Sequence, residues 1–157
     1  MRTHSHGQDW DVSWHPPSDS PTGRPHGAAG VCVTPTGGLV LISHDGQQWG
    51  FPAGRPEPGE TIEETLRREM REEACVTVTD QRLLGFARSL CVAGHEKGLV
   101  LVRSYWAATV EPQPWEPEFE ILHRRVVPVT EAKAHVRDPD EAATQISFRA
   151  LDEAGFG

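Results

Sequence analysis

The stretch Gly54–Val76, GRPEPGETIEETLRREMREEACV, constrains this chain more than any other. It joins a shaped loop to a helix and carries seven glutamates: Glu57, Glu60, Glu63, Glu64, Glu69, Glu72 and Glu73. Two glycines and two prolines in GRPEPGE punctuate the loop. Thr61 with Glu64 three positions on has the form of a capping box, and TIEETLRREMREEA continues as good helix formers. At about 100° per residue, Ile62, Leu66, Met70 and Ala74 form an apolar stripe from about 0° to 120°. Arg67, Arg71, Glu64 and Arg68 cover the far side, while Glu69, Glu72 and Glu73 gather at the edge of the stripe. Like charges three and four apart repel by a few tenths of a kcal/mol per pair, so the cluster calls for a cation the sequence does not supply. Hard carboxylate oxygens suit Mg²⁺ or Mn²⁺, which keep several waters and bridge to phosphate. The plainer alternative is the solvated face of an interaction protein, which has little use for three carboxylates leaning toward a core.

The same run resembles the Nudix box, G-x5-E-x7-R-E-U-x-E-E-x-G-U, where U is apolar. Gly54, Glu60, Arg68, Glu69, Met70, Glu72, Glu73 and Val76 fill its positions in register. The last Gly of the box is Cys75 here, at a place that suits a helix end with positive φ, where a non-glycine costs about 1 kcal/mol. The preceding WGFPAG is similar to the strand and loop that enter the box. The resemblance implies the Nudix fold, an α+β sandwich with a mixed β-sheet between helices. It is loose over 28–154 and tight over 49–76.

At 157 residues the chain fits one domain, expected as an irregular arm over 1–27 and a Nudix hydrolase domain over 28–157. A formal net charge of −8 argues against a nucleic-acid polymer as partner, though a small polyphosphate can bind where metal supplies positive charge. Three cysteines, Cys32, Cys75 and Cys91, lack ligand spacing and make no disulfide framework. No apolar run approaches the ~18 residues of a membrane span and no secretory signal is visible, so a cytoplasmic protein is expected. Oligomeric state is not legible, and a homodimer stays open.

Within 1–27, Trp10, Val12 and Trp14 alternate with polar residues, a short strand pattern that packs onto the domain or a partner subunit, or stays free. His4, His6, His15 and His26 match no metal spacing and read as solvated. AAGVCVT (28–34) and GLVLIS (38–43) read as strands across the PTGG turn. Trp49 and Phe51, two apart, share a face for core packing or substrate stacking. Strands are expected over 77–89, over 99–110 as the central one, and around 125–129. Cys91–Gly98 reads as a loop, and Asp138-Pro139 as the start of a last helix running through Ala154. Arg103 is the polar exception in the central strand and either ion-pairs or reaches a phosphate.

What the resemblance implies for mechanism is hydrolysis of a nucleoside diphosphate linked to another moiety. Water must attack an anionic phosphorus, which needs charge neutralisation, an activated water and in-line geometry. Glu69, Glu72 and Glu73 are the expected metal ligands, with a backbone carbonyl near Ala53 or Gly54. Arg68 and Glu60 orient the ligating carboxylates. The preferred general base outside the box is Glu120, with Glu116, Glu118, Glu96 or a box glutamate as alternatives. Arg103, Trp115 and Phe51 are the substrate-binding candidates, and Trp106 and Phe119 are further possible stacking residues. Motifs of the diadenosine-polyphosphate, ADP-ribose and NADH branches are missing, which leaves a nucleoside triphosphate favoured. The competing reading is a catalytically silent Nudix-fold binding or regulatory module, which typically shows breaks among Arg68, Glu69, Glu72 and Glu73. All four are present.

Overall fold

The segments AAGVCV and GLVLIS are apolar at consecutive positions because both of their faces are covered, the pattern of strands inside a layered α+β domain. In the computed structural model, which describes residues 1–157, they lie in β3 (Arg24–Val33) and β4 (Gly38–Ser43). Before them stand β1 (Arg2–Ser5) and β2 (Gln8–His15). After them come β5 (Ala53–Gly54), α1 (Ile62–Ala74), β6 (Val76–Ala93), β7 (Val100–Pro112) and β8 (His123–Pro128). A 3₁₀ turn at Val129–Glu131 leads into α2 (Ala132–His135), and α3 (Glu141–Glu153) follows.

One sheet runs β1-β2-β6-β7-β3-β4-β8, with β5 paired to β3. The β3–β7 pair is parallel and the other pairs are antiparallel, so the sheet is mixed. The run read as the central strand is β7, fourth along that path.

Alternation along the strands sends side chains to two separate cores. On one face Cys32, Val40, Ile42, Trp106 and Ala108 meet Leu66, Met70 and Ala74 of α1. On the other Val31, Leu39, Leu41 and Tyr105 meet Ala132 of α2 and Ile146, Ala150 and Leu151 of α3. Gly30 lets α1 come close, because a Cβ there would stand 2.6 Å from Met70 Sδ. Leu66 is fully buried, and truncation to Ala at such a site costs about 2–5 kcal/mol.

Four expectations need correcting. The first 27 residues are not an irregular arm. β2 pairs with β6 from Asp9↔Ala93 to His15↔Phe86, and Val12 joins the core, because the alternation of Trp10, Val12 and Trp14 fits a half-buried strand. Ile62 is 39% exposed, and Thr65 takes the buried place in that turn. Its hydroxyl is satisfied there by Glu60 Oε1 at 2.7 Å and the Thr61 carbonyl at 3.0 Å. The last helix is capped by Asp140, not Asp138, whose carboxylate instead accepts from the Asp140 amide at 2.8 Å. The 91–98 loop is shorter than expected, since β6 runs on to Ala93.

Candidate active site

Helix α1 starts and stops where its sequence dictates. Thr61 caps it, accepting from the Glu64 amide at 3.1 Å. Cys75 ends it in the left-handed region with φ 53°, the conformation for which a helix end favours glycine. Arg124 on β8 completes that end, donating to the carbonyls of Ala74 at 2.9 Å and Cys75 at 3.1 Å, a cation at the negative end of the helix.

Between these caps Arg68 organises the carboxylates. Its Nε donates to Glu60 Oε2 at 2.6 Å, and Nη1 to Glu69 Oε1 at 2.7 Å and Glu72 Oε2 at 3.1 Å. Its Nη2 donates to Glu60 Oε1 at 2.9 Å and to the Arg55 carbonyl at 2.8 Å. The guanidinium beside Glu60, helped by the Glu57 amide, holds that carboxyl down at about 2. Glu60 therefore stays ionised and anchors Arg68, which in turn fixes the outer carboxylates.

Glu73 lies one helical turn beyond Glu69. Its Oε1 accepts from the Ala53 amide at 2.8 Å, which ties α1 to β5. Burial pushes the Glu73 carboxyl up to about 7, with the charges of Glu69 and Glu120 adding and the Ala53 amide and Arg103 opposing. Burial also raises Glu69, against the pull of Arg68. Gly54 makes room for this pair, since a Cβ on it would overlap the Glu69 carboxylate. Gly27 is required for the same junction, because a Cβ there would overlap the Gly54 carbonyl oxygen.

No trio of His, Cys, Asp or Glu converges on one point as a formed metal site. Arg68 engages Glu69 and Glu72, and Glu73 turns to the Ala53 amide. The donor set nonetheless fits a hard divalent cation. The Glu69 and Glu73 carboxyls are raised by burial, with neighbouring carboxylate charge adding (Glu72 and Glu60 on Glu69, Glu69 and Glu120 on Glu73), an imbalance that nearby positive charge removes.

A cleft of about 600 Å³ opens beside this cluster. Arg103 connects the two, lining the cleft while its charge acts on Glu73. It has no carboxylate partner within ion-pair distance, so the ion-pairing alternative is not realised. Glu120 is exposed on the loop before β8, close enough to Glu73 to act on its charge. The two aromatic candidates stand elsewhere. Phe51 packs against the α3-side core, and Trp115 lies against the α1-side core under Arg124, 5.4 Å from its ring. Neither lines the cleft, because apolar rings gained more from core packing than from an open wall.

Arg24, Arg55 and Gln8 are cleft residues that sequence reasoning did not single out, and His26, read as solvated, is instead half-buried in the same wall. Arg24 pairs with Leu101 and Gly27 with Arg103 across the parallel β3–β7 ladder, a juxtaposition no local spacing encodes.

Comparison with known proteins gives the same frame. The family model for the NUDIX domain matches residues 24–148. YtkD of Bacillus subtilis, assigned as an 8-oxo-dGTP diphosphatase, is 35% identical over 126 residues, 76% of this chain and 77% of its own. The 8-oxo-dGTP diphosphatase of Proteus vulgaris is 48% identical over 44 residues, 28% of this chain and 39% of its own. Among solved structures, a point mutant of the Bacillus subtilis pyrophosphohydrolase BsRppH superposes with a TM-score of 0.65 at 22% identity, covering 99% of this chain and 98% of that one. A box filled at eight of nine positions, a mixed sheet between helices and a family match across most of the sequence lead to one assignment: the chain belongs to the Nudix hydrolase family.

Proposed function

We propose that this protein is a divalent-metal-dependent hydrolase that cleaves a pyrophosphate bond in a nucleoside diphosphate-linked substrate, a nucleoside triphosphate being favoured. The observation that carries the reading is the ordering of Glu69 and Glu72 by Arg68, with Glu73 alongside and within reach of Arg103, an arginine of the neighbouring cleft that has no carboxylate partner. The names of the relatives, diphosphatases acting on 8-oxo-dGTP, support a small nucleotide as substrate.

Glu69, Glu72 and Glu73 would hold Mg²⁺ or Mn²⁺, with the Gly54 carbonyl as a further ligand. Held there, such an ion would supply positive charge to the phosphate oxygens and would make a water more acidic. Arg68 and Glu60 keep the carboxylates in place, so little ordering remains to be done when substrate arrives. Glu120 takes a proton from the attacking water as its oxygen bonds to phosphorus and the bridging P–O bond breaks. Arg103 steadies the phosphate chain. The same reading carries the cytoplasmic setting expected from the sequence; no helix is long and apolar enough to cross a membrane.

A panel of nucleoside triphosphates, diphosphates and diphosphate conjugates, incubated with Mg²⁺ or Mn²⁺, tests the reading. Metal-dependent release of pyrophosphate or phosphate is expected. Tight nucleotide binding without turnover would replace it with the silent binding module.

A further inference from the structure

Three arginines converge on the wall of the cleft from three separate elements. Arg24 lies on β3, Arg103 on β7, and Arg55 follows Gly54 in the loop before α1. All three act on one imidazole, His26, which burial and their combined charge hold down at about 4, so it stays neutral at physiological pH. None of the three has a carboxylate within ion-pair distance, in a chain whose acidic residues outnumber its basic ones 23 to 15.

The two acids that do line the cleft are engaged elsewhere. Glu96 Oε1 accepts from Gln8 Nε2 at 2.8 Å, and Asp140 caps α3 through the Ala142 amide at 3.0 Å. Gathered like charges around a half-buried neutral ring cost free energy that only an anion recovers.

The position of Arg55 is set by the glutamate cluster itself. Arg68 grips the Arg55 carbonyl at 2.8 Å, while Gly54, one residue earlier, lies against Glu69. Arg103 faces both ways, its charge acting on His26 and on Glu73. The arginines thus begin where the carboxylates end.

We propose that Arg24, Arg55 and Arg103 form an anion subsite that takes a phosphate group of the substrate's polyphosphate chain, beyond the one attacked at the glutamates. Guanidinium forks from three directions match the oxygens of a phosphate, and a neutral His26 adds a hydrogen bond without crowding the charge. The subsite favours triphosphates over diphosphates, since a shorter chain held at the glutamates leaves the arginines without a partner. Its identity as a substrate subsite rests on the hydrolase reading above.

Calorimetric titration of the metal-free protein with inorganic tripolyphosphate tests the subsite without turnover. Wild type should bind, and Arg24→Ala, Arg55→Ala and Arg103→Ala should each weaken binding about tenfold or more. Arg55→Lys should recover part of that loss by keeping the charge. Arg55 is exposed in a loop, so its variants test the site even where Arg103→Ala disturbs β7. In turnover with Mg²⁺, Arg24→Ala and Arg55→Ala should raise KM for dGTP about tenfold, with a smaller effect on kcat and on KM for dGDP. Tripolyphosphate binding unchanged in all three alanine variants would overturn the proposal. Arginine-dependent binding in a protein that turns over no nucleotide would keep the anion subsite and sink the hydrolase reading instead.

Discussion

The Ala53 amide donates to the Glu73 carboxylate across 2.8 Å, fastening the short strand β5 to the last turns of α1. Glu73 is therefore positioned by backbone, while Glu69 and Glu72 are positioned by a side chain, Arg68. Replacing Glu73 with Gln keeps a carbonyl oxygen for that amide but removes the charge. Glu73→Gln should fold normally and lose metal-dependent turnover by orders of magnitude, measured as kcat at saturating Mg²⁺. Turnover near wild type would strike Glu73 from the ligand set.

The raised Glu73 carboxyl has a sign that melting curves can read. With a folded value of about 7 against the usual carboxylate range, the metal-free native state holds more protons than the unfolded chain between about pH 4.5 and 7. Its stability should fall as pH rises through that window. Mg²⁺ binds only the deprotonated form, so the rise in Tm it produces should be larger at pH 8 than at pH 5. Thermal melts with EDTA and with Mg²⁺ at both pH values check this.

Glu60 has the opposite sign. Arg68 depresses its folded value to about 2, so its contribution is present in full above about pH 4.5 and is lost as pH falls toward 2. Glu60→Gln should have a lower Tm than wild type at pH 7. The gap should close as the pH is lowered below 4.5. A gap as wide at pH 2.5 as at pH 7 would mean the Glu60 charge is not what stabilises the site.

Cys75 sits at φ 53° with its sulfur exposed to only one weak partner, the Glu116 carbonyl at 3.7 Å. Glycine relieves the backbone strain there, so Cys75→Gly should be neutral or stabilising by up to about 1 kcal/mol in denaturant unfolding. Cys75→Val should be destabilising, because a β-branched residue resists the left-handed region. Loss of stability in Cys75→Gly would show that the thiol's packing outweighs the strain.

Much of the glutamate helix α1 was legible because its determinants are local. The Thr61 cap, the Leu66–Met70–Ala74 stripe and the left-handed position at Cys75 depend on residues within a few turns of each other, and each is found as expected. The strands of the core were legible for the same reason, since their apolar runs follow backbone period and burial. Ile62 shows the limit: the wheel places it on the stripe, but only the sheet's extent decides that Thr65 is covered and Ile62 is not.

By itself, then, the sequence determined a capped glutamate helix, two doubly covered strands and eight of the nine positions of the Nudix box. The tertiary structure alone decided that residues 2–15 extend the sheet through β6, and that Arg24, Arg55 and Arg103 share one cleft. It also decided that Phe51 and Trp115 pack, partly buried, against the two cores. The physical reason is that strand pairing joins positions as far apart as Arg24 and Leu101. Periodicity fixes which way a side chain faces along its own element, but not which distant element it will meet.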